Sequence, residues 1–210
     1  MKITILCEKT SWTQEYLHIL IDLITKGNDI TVISTVSQIS SGDILVVVSF
    51  TELIPLNLLS FYKNNITVHS SDLPKGRGWN PVHWEVLAGK NAITSTLIEL
   101  AEKVDSGDFY LKGVTQLDGD ELLDEIRQKV ILTDFKLIEN FVYTINKIKV
   151  QKQKGKPTFY KKRTANDSQL SIRKTIEEQF NLFRIADNQD YPVFFNYKNN
   201  KYILKIFKVE

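Results

Sequence analysis

One cysteine, Cys7, stands among 210 residues. A lone thiol excludes an internal disulfide framework and any multi-cysteine metal site, and no metal is expected. Cys7 closes a short apolar stretch and reads as a small core residue. Long apolar runs are missing as well. A membrane helix needs about 20 apolar residues, and the longest run here is the strand-like ILVVVSF at 44–50. The opening MKITILCEKT turns polar after Cys7, unlike a secretion signal, so the expected address is cytoplasmic. Net charge is scarce: 27 Lys+Arg against 25 Asp+Glu leave +2. Such balance supplies no general pull toward nucleic acid or an anionic membrane, and neither is expected as a partner. Internal repeats and low-complexity tracts are absent from the chain.

What is present suits a packed core, with 42% hydrophobic and 25% charged residues. Residues 2–7 alternate like a strand. Residues 10–26 carry Trp12, Tyr16, Leu17, Ile19, Leu20, Leu23 and Ile24 at helical spacing, with Thr10 or Ser11 as the cap. Residues 29–34 and 43–49 read as strands, the second apolar enough to be buried on both faces. This strand–helix–strand opening implies a Rossmann-like α/β fold with a mostly parallel sheet. Residues 65–69 form a further short strand, 70–81 a Gly- and Pro-rich loop, and 82–88 a helix. Residues 92–99 and 109–114 read as strands, and 119–147 as a long amphipathic helix.

Residues 147–163 carry eight Lys and Arg with no acid between them. That run is either a solvated connector or a surface that attracts an anionic substrate. Beyond it, 168–183 has a helical pattern, and 191–196 with 201–208 form a hairpin turning at 198–200. The expected organisation is a catalytic domain at 1–148 and a small helix-plus-hairpin subdomain at 149–210.

His69 ends a predicted parallel strand, and ligands of open α/β sheets bind beyond the carboxyl ends of strands. A histidine titrates near neutrality, so it is well placed there for proton transfer. Alone it would be weak evidence, and His18 and His83 read as structural. The surrounding residues change that. His69 lies in VHSSDLPKGRG, followed by Pro81, Trp84 and Gly89, then by Asp105, Ser106 and Gly107 in VDSGD.

These ordered elements, spread over about residues 2–145, resemble the folate-dependent formyltransferases. That family includes glycinamide ribonucleotide and methionyl-tRNA formyltransferases and the sugar N-formyltransferases. Its pattern runs Asn-x-His-x-Ser-Leu-Leu-Pro, then Arg-Gly, then Asp-x-Gly several tens of residues later. The 36 residues from His69 to Asp105 fit the sugar branch. The resemblance implies the formyltransferase fold and 10-formyltetrahydrofolate as cofactor. An acceptor amine would attack the formyl carbon, and His69 would donate to the resulting oxyanion. Asp105 would orient His69 and help remove the amine's proton. Gly107 would let Asp105 keep its turn beside the folate. Val82, Trp84, Val86, Leu87, Lys103 and Val104, with Gly107, would line the pterin site.

In one place the chain departs from the family. The usual asparagine two residues before the histidine is Thr67. Asn65, Thr67 and His69 share a strand face. Thr67 would then supply a hydroxyl donor, or Asn65 would reach in from further away, or the site would be inert.

The tail resembles that of sugar nucleotide N-formyltransferases: YKKRTANDS at 160–168, FNLFRI at 180–185 and YPVFF at 191–195. Arg163 and Asp167 match an Arg-x-x-x-Asp pattern, which either contacts substrate or ties the tail to the main domain. The tail is shorter than a tRNA-binding domain would need. Other expected substrate contacts are Lys9, Ser11 and Trp12 at the first helix start, where backbone N–H groups favour an anion. Trp12 would stack on a ring or belong to the core. Ser49 and Phe50 would line the amine pocket, with Lys75, Arg77, Gly78, Trp79 and Asn80 in the catalytic loop. The acceptor implied is a nucleotide-linked 4-amino-4,6-dideoxy sugar, such as UDP-4-amino-4,6-dideoxy-N-acetyl-altrosamine of pseudaminic acid biosynthesis. A formyltetrahydrofolate hydrolase and a non-catalytic sugar-nucleotide or folate binder remain as rival readings. The hairpin's aromatics suggest a homodimer.

Overall fold

The computed structural model describes residues 1–209. Six strands form the main sheet: β1 (Lys2–Cys7), β2 (Asp29–Ile33), β3 (Gly42–Val48), β4 (Tyr62–His69), and two that are named below. Between them lie α1 (Leu17–Ile24) and the single turn α2 (Leu56–Leu59). β5 (Arg77–Gly78) follows β4, then α3 (Pro81–Leu87), then the last two sheet strands, β6 (Ala92–Glu99) and β7 (Phe109–Gln116). The long helix α4 (Leu123–Thr144) covers one face. Spatial order is β2-β1-β3-β4-β6-β7. The first four strands are parallel, and β6 alone runs against them, pairing antiparallel with both β4 and β7. The expected mostly parallel α/β sheet is present.

The apolar run of β3 explains its central place. Ile44, Val46 and Val48 face a core shared with α1 and α4, while Leu45 and Val47 face a second core with Leu59 and Tyr62. Phe135, Phe141, Leu20 and Ile24 are fully buried in the first. Each such side chain contributes roughly 2 kcal/mol by leaving water. Strand order reverses at β1, which has β2 on one side and β3 on the other. The carboxyl ends of β1, β3 and β4 therefore open onto one crevice.

Several expected elements end elsewhere. The helix predicted over 10–26 begins as a 3-10 turn, Trp12–Tyr16, whose first N–H groups are capped by Ser11. The helix predicted over 119–147 starts only at Leu123. Glu121 accepts from the N–H groups of Asp118 and Gly119, which holds that stretch as a turn. The helix predicted over 168–183 shrinks to a 3-10 turn at Glu177–Gln179 and α5 (Phe180–Arg184). The Gln179 amide bonds the N–H of Ser171 and the carbonyls of Ser171, Lys174 and Thr175, satisfying that backbone outside a helix. Leu170 meanwhile donates to the carbonyl of Phe194.

The basic run is no loose connector. Gln151 pairs with Phe109, and β8 (Phe159–Tyr160) pairs with β5. Residues 151–160 thus form a strap across the loops that follow β4 and β6. The hairpin of β9 (Val193–Tyr197) and β10 (Asn200–Leu204) turns on Lys198 and Asn199, both at positive φ. Such a two-residue turn matches the twist of its strands. β10 stops at Leu204 because the Asn188 side chain bonds both the N–H and the carbonyl of Ile206.

Candidate functional site

His69 ends β4, and its ring is held from two sides. Nε2 lies 2.8 Å from the Gly76 carbonyl oxygen, and Nδ1 lies 3.4 Å from Oδ1 of Asp105. A carbonyl only accepts, so Nε2 carries the proton of that bond and Nδ1 becomes the ring atom that gains and loses one. Both side chains are about one-tenth exposed. Asp105 has φ +55°, a left-handed conformation that aspartate tolerates better than most residues. Its other oxygen accepts from the Gly78 N–H at 2.8 Å.

Two glycines make this approach possible. Gly78 has φ +96°, and a Cβ there would lie 2.6 Å from the Tyr160 carbonyl oxygen. Gly107 was expected to serve the Asp105 turn, yet the positive φ belongs to Asp105 itself. Gly107 is needed because a Cβ would collide with the Glu99 carbonyl of β6.

The pair opens into a cavity of about 920 Å³. From the expected residues it gathers Ser11, Trp12, Ser49, Phe50, Thr67, Gly78, Trp79, Asn80, Val82 and Val104 beside His69 and Asp105. The others fall outside its lining. Lys9, Lys75 and Lys103 are exposed on loops. Val86 is fully buried against Ile93, Ile126 and Ile185, and Leu87 packs on that cluster. Trp84 stacks on Tyr160 and donates to the Lys161 carbonyl. Arg77 reaches away from the cavity to Gln153 Oε1 at 2.7 Å. Arg163 is buried and donates to Ser168 and to the carbonyls of Asp167 and Ile185, so it ties the tail together.

Thr67 does line the cavity, but its hydroxyl donates to the Val47 carbonyl at 2.8 Å, which commits its hydrogen to β3. Asn65 is buried away from the cavity lining. Ser11 likewise turns its hydroxyl to the N–H of Thr13.

The α4 wall carries residues that the sequence reading does not single out. Leu123, Ile126, Arg127, Val130, Ile131, Asp134, Phe135 and Ile138 face the cavity at helical spacing. A charged residue on that apolar stripe was the available signal. Arg127 bonds Asp187 of the tail and lies over the Trp12 ring at 5.4 Å. His83, also lining the cavity, is held down to about 3 by burial and by the charges of Arg163 and Arg127, so it stays neutral.

Asp134 is buried and accepts from Ser70. Burial pushes its carboxyl up to about 6, against the opposing hydrogen bond of Ser70. The folded state thus holds a proton that the unfolded chain releases near pH 4. Stability from this group is therefore present below that pH and is lost as pH rises toward 6. Asp134→Asn is expected to raise stability at pH 8 by about 3 kcal/mol and to have little effect at pH 4. Thermal melts at both values check this, and equal destabilisation at both would contradict it.

Among the described residues, no helix is long and apolar enough to cross a membrane. The Formyl transferase family model matches residues 28–141. The chain is 27% identical over 146 residues to methionyl-tRNA formyltransferase of Bacillus velezensis, covering 68% of this chain and 46% of that protein. It spans about half the length of the curated relatives it matches. A solved 4-N formyltransferase from Francisella tularensis superposes with TM-score 0.77 at 17% identity, over 99% of this chain and 98% of that one. HypX from Aquifex aeolicus, solved with tetrahydrofolic acid, superposes with TM-score 0.79 at 15% identity, over 98% of this chain and 37% of that one.

Proposed function

The chain belongs to the formyl transferase family, and on that footing we propose that it transfers formyl from 10-formyltetrahydrofolate to the amine of a nucleotide-linked 4-amino-4,6-dideoxy sugar. The observation that carries the transfer is the His69–Asp105 pair in the lining of a large, largely apolar cavity. The cavity suits a folate. Val82, Ile98, Leu100 and Val104 offer walls for a flat ring, beside the exposed residues Ala101 and Glu102. When bound, the folate would supply the formyl carbon that the acceptor amine attacks. His69 gives a proton or hydrogen bond from Nδ1 to oxygen charge developing there. Asp105 would stabilise the ring in its protonated form and take up the proton lost by the amine, which would pass to the folate nitrogen as its bond to the formyl carbon breaks and tetrahydrofolate leaves. Gly78 keeps the carboxylate aimed.

Support for a nucleotide-linked acceptor lies at the rim. Trp12 and Trp79 line the cavity, with Arg127 over the first ring and Lys162 over the second at 4.8 Å. Flat faces paired with cations suit a base and its phosphates. Residues 1–148 would form the catalytic unit and 149–210 an appendage. Exposed Tyr197, Tyr202, Ile203 and Leu204 on the hairpin support a homodimer through it.

The curated relatives favour a second acceptor, the amine of an aminoacyl-tRNA. A mass-spectrometric assay with 10-formyltetrahydrofolate decides between them. Amino sugar nucleotides, including UDP-4-amino-4,6-dideoxy-N-acetyl-altrosamine, are expected to gain a formyl group. Formylation of methionyl-tRNA alone would sink the sugar reading, and release of formate without any amine would indicate a hydrolase.

A further inference from the structure

The strap at 151–160 bonds Asp105 directly and His69 through Gly76, and one of its side chains closes a ring of bonds around Asp105. Gln153 donates from Nε2 to the carbonyl of Asp105 at 2.9 Å and to that of Gly107 at 2.7 Å. Its Oε1 accepts from Nη2 of Arg77 at 2.7 Å. The next residue, Gly78, donates its N–H back to Oδ2 of Asp105. From Asp105 through Gln153, Arg77 and Gly78, the path therefore returns to Asp105. Only an amide side chain both donates and accepts in this way. The backbone of the same strap fixes its position, because Gln151 and Phe109 exchange both N–H···O bonds.

The geometry points to Gln153 as a positioning residue, which holds the left-handed turn of Asp105 and the catalytic loop in mutual register so that the carboxylate meets Nδ1 of His69. This rests on the catalytic reading of His69 and Asp105 given above. Gln153 does not line the cavity and touches no reacting atom. Its sequence neighbours Lys152 and Lys154 are exposed, so a single half-buried amide stands within a charged run. Thr158 supports the other partner from the same strap. Its hydroxyl accepts from the N–H of Gly76, whose carbonyl holds Nε2 of His69.

The test uses Gln153→Met, which keeps the shape and removes every bond, and Gln153→Glu, which keeps an acceptor for Arg77 but cannot donate to the two carbonyls. Lys152→Ala on the same strap is the control. Both Gln153 variants are expected to lower kcat about 10- to 100-fold while KM for folate and acceptor stays within about twofold, the scale of a small misplacement of reacting groups. The control is expected to match wild type. A second readout needs no substrate: the imidazole NMR signals of His69, assigned by their absence from His69→Ala, should shift in both variants and not in the control. Unshifted His69 signals in both variants would overturn the proposal, as would full kcat in either. If wild-type protein formylates no amine, the catalytic reading fails on its own, and the His69 signals still decide whether Gln153 positions the pair.

Discussion

Asp105→Asn is expected to lower kcat about 10³-fold, within the range of 10²- to 10⁴-fold that positioned proton transfer supplies. The substitution keeps the size of the side chain and an oxygen for the Gly78 N–H. It removes the negative charge 3.4 Å from Nδ1 of His69. A charge pair at that distance is worth roughly 5 kcal/mol at an effective dielectric near 20. That energy is available only while the ring is protonated, which is the state that stabilises developing oxyanion charge. The asparagine amide can also donate to the bare Nδ1 and hold it unprotonated. KM for the folate should change little, because Asp105 contributes charge where bonds change more than ground-state binding. Since the two groups act as one unit, His69→Ala combined with Asp105→Asn should cost little more than the worse single change. Single-turnover rates of formyl transfer check both statements. A loss smaller than about tenfold in Asp105→Asn would remove it from the proton path.

How far such a site can be read from sequence depends on whether its contacts are local. His69 is legible because a strand end, a glycine-rich loop and a helix start follow one another within some 15 residues. The parallel opening of the sheet is legible from the two-sided apolar run of β3. Thr67 looked like an oxyanion donor because strand alternation sets its face. What its hydroxyl does instead depends on the register of β3 and β4, in which Val47 lies beside Thr67. Periodicity carries no information on that register. Gln153 is illegible in the sequence for a related reason. Its partners Arg77, Asp105 and Gly107 lie far off in sequence, and the lysines around it suggest a solvated linker. The false helix at 168–183 has the right spacing, but its backbone is satisfied by the Gln179 side chain, a competition that spacing cannot weigh. Arg77 and Arg163 were expected at the substrate because basic residues in a motif suggest an anion. Both point into protein instead and bond carbonyl, hydroxyl or amide oxygens.

Glu121→Gln is expected to cost about 3–5 kcal/mol of folding stability, the scale of a buried ion pair that loses one partner. Arg184 of α5 and Glu121 are each about 2% exposed, with Nη2 at 3.1 Å from Oε2. Arg184 also donates to the side-chain oxygens of Asn91 and Asn181 and to the Glu121 carbonyl. Without the carboxylate, that guanidinium would stay buried among neutral acceptors. Burial alone would raise the Glu121 carboxyl, but Lys129 and the N–H groups of Asp118 and Gly119 outweigh it and hold it at about 2. Because the folded-state value lies below the ordinary 4.5, stability from Glu121 is present above pH 4.5 and is lost as pH falls toward 2. A shift of that size corresponds to roughly 3 kcal/mol, in line with the mutational figure. Arg184→Met should fall at the low end of the range, since Lys129 and the backbone donors still serve Glu121. The double variant should cost less than the sum of its parts. Urea unfolding at pH 7 and pH 4 checks all three, with midpoints moving at a constant slope. Additive losses would mean that the two residues act separately. The network joins the tail to the first turn of α4, where Leu123, Ile126 and Arg127 form part of the cavity wall. Loosening it should therefore raise KM for the acceptor before it lowers kcat, because His69 and Asp105 are held from the strap rather than from α5.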